Sequence, residues 1–151
     1  MRSLFPISSD DAYVAISSAR CWKCDGNVRV VCLYCARGEI NGEVMEHFVI
    51  SNLVEADASL LEALRSFPQY RVARSHQADM SYFANHCDGC GSLQGDFYLH
   101  SQPGGAFFPE TIEDFARISF TPIDSPIRCD GGEEYGTMAD AFEAWTRRRP
   151  E

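Results

Sequence analysis

The sequence predicts an α+β fold: an antiparallel sheet, two helices packed on it, and a four-cysteine site that ties its turns together. Three observations predict it. Short runs rich in β-branched and aromatic residues recur between glycine turns, as in Val28-Arg29-Val30-Val31-Cys32-Leu33-Tyr34. Two segments repeat apolar residues at helical spacing: Leu60, Leu61, Leu64 and Phe67, then Met138, Ala141, Phe142 and Trp145. Two Cys-x-x-Cys pairs, Cys21/Cys24 and Cys87/Cys90, stand in glycine-rich turns far apart in the chain. Four thiolates in that arrangement offer a closed tetrahedral site of the zinc-ribbon-like kind.

Taken in order, Met1 to Arg20 is weakly patterned, and Asp10 to Ile16 reads as one helical turn or a short edge strand. Cys21 to Gly26 is the first cysteine turn, with Gly26 as its flexible position. Val28 to Tyr34 is a strand, Gly38 to Gly42 a turn, and Val44 to Ile50 a second strand. Ala56 to Phe67 is a helix that Pro68 ends. Gln69 to Arg74 reads as a short strand, and Met80 to His86 alternates into the second cysteine turn. Leu93 to His100 alternates as a strand, and Phe107-Phe108 is an apolar patch assigned to the core. Thr111 to Phe115 suits one helical turn. Arg117 to Ile123 alternates as a strand that Pro122 confines to an edge. Ser125 to Gly136 reads as loop around Gly131-Gly132. Thr137 is an N-cap for a final helix running to Arg149, with Pro150 as its stop.

Composition bounds the whole. At 151 residues, 45% hydrophobic and 23% charged, the chain suits one globular domain, residues 1–151. It has no apolar run near the roughly 20 residues a membrane span needs. Met1 to Asp11 lacks a secretory apolar stretch, so a cytoplasmic setting is expected. Seven cysteines without a signal peptide favour metal binding over a disulfide framework. The net charge of −9 disfavours a nucleic-acid partner. The acidity is concentrated late in the chain, where Glu110 to Glu143 contains only Arg117 and Arg128 as basic residues. Such a surface suits solubility or a basic protein partner.

Three cysteine pairs compete for a metal. Cys32-Leu33-Tyr34-Cys35 lacks a downstream glycine, and an extended strand would point its two sulfurs to opposite faces. The expected ligands are therefore Cys21, Cys24, Cys87 and Cys90, with one structural zinc ion. The rival set is Cys21, Cys24, Cys32 and Cys35. Cys32 and Cys35 are otherwise small buried residues, and Cys129 stands alone in a polar loop. A redox role for Cys21/Cys24 needs a helix start after the pair, whereas Asp25-Gly26 and a β-rich run follow. Of His47, His76, His86 and His100, only His86 adjoins a ligand, and it is read as a neighbour of the site. Asp96 and the late glutamates are read as a solvated face, and Asp130-Gly131-Gly132-Glu133-Glu134 as a turn without calcium-loop spacing.

Cys21-Trp22-Lys23-Cys24, taken with Tyr82 to His100, resembles a group of uncharacterised bacterial proteins. These pair an early Cys-Trp-x-Cys with a later Ala-Asn-x-Cys-x-x-Cys-Gly and a Gln-Gly-Asp-Phe run. The resemblance implies a zinc-ribbon-like core whose two cysteine turns are these pairs, and it brings no activity with it. The leading expectation is a non-enzymatic, zinc-stabilised protein that binds a basic protein partner, in the manner of an immunity or inhibitor protein. The alternatives are a nucleic-acid-associated ribbon using Arg65, Arg71 and Arg74 with the terminal arginines Arg147, Arg148 and Arg149, and a thiol enzyme using Cys32, Cys35 or Cys129.

Overall fold

The computed structural model describes residues 5–75 and 80–148; His76, Arg149 and Pro150 lie outside the described residues. The barrel meander comprises β1 (Ile7–Arg20), β2 (Asn27–Ile40) and β3 (Glu43–Ala56). A short helix, α1 (Ala58–Leu64), leads to β4 (Tyr70–Ser75), β5 (Met80–His86) and β6 (Leu93–Gln94). The rest of the chain is α2 (Asp96–Ser101), α3 (Ile112–Ala116), β7 (Ser119–Pro122), β8 (Ile127–Glu134) and α4 (Met138–Arg148).

This architecture corrects the α+β expectation. Strands make up about half of the described chain, and its helices are short. β8 pairs antiparallel with both β3 and β1, while β2 joins β1 to β3, so four strands close on themselves as a barrel. β7 continues along β1 beyond β8, from Tyr13 to Ile16, as the edge its Pro122 requires. A second sheet has the order β4-β5-β6.

The closed barrel follows from strands buried on both faces. All four barrel strands feed one core cluster, including Val14, Leu33, Phe48, Ile50, Ile127 and Cys129, which fills the interior. Leu60 and Leu64 of α1 join that cluster. The alternate residues Val30, Cys32 and Tyr34 of β2 pack outward with Phe120 against Met138 and Ala141 of α4. Phe142 completes an aromatic group, its ring 4.8 Å from both Tyr13 and Tyr34. Buried strands of this kind read as continuous apolar runs, which is why β2 was visible in the sequence.

The misread segments each have a local cause. β1 is central rather than a loose edge. At a register irregularity Ser9 Oγ donates to Arg37 O at 2.6 Å and accepts from Asp11 N at 3.0 Å, whereas Ser17 Oγ is buried without a partner among the described residues. β8 runs through the stretch expected to be loop. A Cβ at Gly131 would lie 3.0 Å from both Ile50 Cγ2 and Ser51 O, so glycine here permits close strand approach rather than a turn. It follows that Cys129 is a fully buried barrel residue, not a loop bystander. The strand expected over Leu93–His100 stops at Gln94, and Gly95 starts α2. The first helix is shorter than Ala56–Phe67 because β3 persists to Ala56 and Asp57 caps α1, accepting from Leu60 N at 3.0 Å.

α3 fits its expected single turn, with a Thr111–Asp114 capping box. Asp114 Oδ2 accepts from Glu110 N (2.9 Å) and Thr111 N (3.1 Å), and Oδ1 meets Arg117 at 2.8 Å. The Glu110 backbone N–H is the main cause holding this carboxyl below its ordinary value. A lowered folded pKa gives stability that is present above the unfolded value and lost as pH falls through the folded one. Asp114→Ala should lower the melting temperature by about 3 °C at neutral pH, from a cap worth about 1 kcal/mol. Melts on an acid series should show that gap narrowing.

Candidate metal centre

Two turns of the same shape build the site. In the β1–β2 hairpin, Cys21 N donates to Gly26 O at 2.8 Å and Asp25 N to Cys21 O at 3.0 Å. Between β5 and β6, Cys87 N donates to Ser92 O at 2.9 Å and Gly91 N to Cys87 O at 2.8 Å. Each turn needs a left-handed residue right after its second cysteine. These are Asp25 (φ 64°) and Gly91 (φ 78°), so Gly26 is not the flexible position. Asparagine and aspartate tolerate that region better than other side chains, which suits Asp25.

The turns bring Cys21, Cys24, Cys87 and Cys90 together, with all four sulfurs within 4.8 Å of one another. Cys21 Sγ lies 3.6 Å from Cys90 Sγ, and Cys24 Sγ 3.7 Å from Cys87 Sγ. Zinc–sulfur bonds of about 2.3 Å in a tetrahedron require sulfur–sulfur edges of about 3.8 Å. The donor set therefore fits a tetrahedral dication in number, chemistry and size. Cys21 and Cys87 are buried, Cys24 and Cys90 exposed.

Backbone N–H groups face the sulfur of Cys21: Lys23 N at 3.4 Å and Cys24 N at 3.5 Å. The Cys24 N–H is the main cause lowering the Cys21 thiol to about 6. Ser92 lowers Cys90 as well. Cys24 has a lowering contact from the Gly26 N–H, but the Cys87 and Cys21 thiols outweigh it and push it up to about 11. Clustered thiols resist ionising together, and a bound cation removes that resistance.

Two further residues support the cluster, and the sequence did not single them out as such. Gln94 is fully buried; its Nε2 donates to Cys21 Sγ at 3.3 Å and to Ser92 O at 3.1 Å. Trp22 lies across the gap between the turns and donates from Nε1 to Leu93 O at 2.6 Å. Donors to a metal-binding sulfur tune affinity, so Gln94→Leu should weaken metal binding about tenfold in a chelator competition assay. An unchanged affinity would reduce Gln94 to a packing residue.

The rival cysteine set does not assemble. Cys32 belongs to the outer cluster and Cys35 to the barrel interior, on opposite faces of β2. Burial pushes the Cys32 thiol well up and Cys35 to about 12, and it raises Cys129 too. Such thiols hold little thiolate at neutral pH. His86 is buried and its Nδ1 lies 3.2 Å from Gln69 O, apart from the sulfur cluster. His47, left-handed at φ 55°, meets Tyr34 Oη through Nδ1 at 2.6 Å.

Asp96 is not part of a solvated face. It is buried and accepts from Asn52 N at 2.7 Å, where β3 slips register and Asn52 turns left-handed (φ 49°). Desolvation raises its carboxyl against the opposing pull of His100. The only sequence signal was the Gln-Gly-Asp run, whose Gln94 meets a sulfur while Asp96 meets the barrel.

No protein-family model, curated protein or solved structure matches this chain. Among the described residues, no helix is long and apolar enough to cross a membrane.

Proposed function

We propose that Cys21, Cys24, Cys87 and Cys90 hold one zinc ion as a structural cross-link, in a protein that acts by binding a basic protein partner. The four-sulfur cluster, with edges of 3.6 and 3.7 Å, carries the metal reading. Four protein thiolates use every position of a tetrahedral zinc and leave none for substrate, which favours a structural ion over a catalytic one. The partner reading rests on charge. The net charge is −9, and Glu55 stands directly opposite Asp130 across the β3–β8 pair. Like charges in that position oppose folding, so a cationic surface laid over them relieves a real cost. An immunity- or inhibitor-like role against a basic toxin or nuclease fits both.

The nucleic-acid alternative is weaker, because its candidate arginines already have partners. Arg65 meets Glu62 at 3.1 Å, Arg71 meets Gln69 at 3.2 Å, and Arg147 meets Glu143 at 2.6 Å.

Elemental analysis of the purified chain tests the metal reading, with one zinc per chain expected in wild type and less than half in Cys87→Ser. A metal-free chain whose thiols oxidise reversibly would replace it with a redox dithiol. For the partner reading, affinity should fall with salt and with Glu55→Lys. A salt-insensitive complex would remove the electrostatic argument.

A further inference from the structure

Away from the cysteine cluster, a pocket of about 320 Å³ lies between α2, the start of α4 and the end of β8. Its lining includes His100, Glu134, Thr137 and the apolar side chains of Val49, Phe107 and Phe108. Two polar atoms in this wall are buried without a hydrogen-bond partner: His100 Nε2 and Thr137 Oγ1. The His100 side chain is only 3% exposed, and its ring packs on Phe107 with centroids 5.1 Å apart. Buried polar groups nearly always have partners, so two orphans in one wall point to something that completes them. Thr137 was expected to cap α4, yet its hydroxyl makes no capping bond.

The surrounding charges select the ligand class. His100 Nδ1 faces Glu134 Oε1 at 3.8 Å, so Nε2 is the ring nitrogen left without a partner. Thr137 Oγ1 carries a free hydroxyl hydrogen. A ligand hydroxyl both donates and accepts, so one small group can complete the ring nitrogen and the threonine hydroxyl together. A net cation would meet the positive end of α4, an eleven-residue helix that begins at this wall. A net anion would meet Glu134, with the buried Asp96 one turn before His100 on α2. Neutral molecules avoid both penalties, and the aromatic and aliphatic walls favour an apolar body.

We infer that this pocket is a second ligand site, taking a small neutral molecule that carries a hydroxyl on an apolar, ring-sized body, with His100 Nε2 and Thr137 Oγ1 as its recognition groups. It is independent of the metal cluster and of the partner reading.

Titrating the metal-loaded protein with phenol, followed by amide spectra and by the His100 ring nitrogens, tests it. The expected result is saturable binding that shifts His100 Nε2, at least about 5-fold tighter than toluene, the gain of one neutral hydrogen bond. Thr137→Val, which keeps the shape of the side chain, should weaken phenol about 5-fold and leave toluene unchanged. Benzoate and benzylamine should both bind more weakly than phenol. The inference is overturned if toluene binds as tightly as phenol, or if either charged analogue binds better. Equally, it is overturned if phenol gives no saturable shift and a resident water alone bonds to His100.

Discussion

Stripping the metal from the wild-type chain, or replacing Cys87 with serine, is expected to lower the melting temperature by about 8–16 °C. The four cysteines join the β1–β2 turn to the β5–β6 turn, and 62 residues (25 to 86) separate Cys24 from Cys87. Structural zinc supplies on the order of 10 kcal/mol in small zinc peptides that have little else. Here the barrel has its own core, so the loss falls to about 4 kcal/mol, and each kcal/mol moves a domain of this size by about 2–4 °C. Cys129→Ala is the control: it empties barrel volume but touches no cluster sulfur, so it costs stability without releasing metal. Identical melting curves with and without chelator would sink the cross-link argument.

Asn85→Leu is expected to cost about 3 kcal/mol with the metal still bound. Asn85 is buried, and it pairs with both polar groups of one residue in β2: Oδ1 accepts from Val31 N and Nδ2 donates to Val31 O, each at 2.9 Å. This amide ties the small sheet to the barrel. Leucine fills similar space but strands the Val31 N–H and C=O, and each unpaired buried group costs about 1–3 kcal/mol. Asn85→Asp keeps the acceptor, loses the donor and sets a carboxylate against Val31 O, so it should fare no better. Denaturant melts and amide exchange at Val31 read the result. A cost under about 0.5 kcal/mol would mean that water replaces the amide there.

Local chemistry was legible in the sequence, and long-range closure was not. The cysteine turns, the Thr111–Asp114 cap and the Pro122 edge are written within a few residues, and each forms where its spacing demands. β8 was hidden because Gly131 and Gly132 signal a turn locally, whereas their purpose lies against Ile50 and Ser51, roughly eighty residues away. β1 was hidden because its serines and aspartates look solvated until Ser9 is seen to bond Arg37. The helix at Asp96 was missed because six residues can show alternation and helical spacing at once. Gln94 and Asn85 were invisible as partners, since nothing in a single chain marks which amide will reach a sulfur or a strand.

The strand that closes the barrel leaves the ribosome well after the three strands it joins. β3 ends at Ala56 and β8 begins at Ile127. At about 5–20 residues per second, the nascent meander waits on the order of 10 s for its closing partner. During that interval one edge of β1 and one of β3 are bare, and bare edges recruit other chains. The Asp10–Asp11 irregularity and the left-handed residues His47 and Asn52 lie on those two strands, where charge and kinks spoil flat edge-to-edge pairing. Features that look like defects in the finished barrel thus guard the unfinished one.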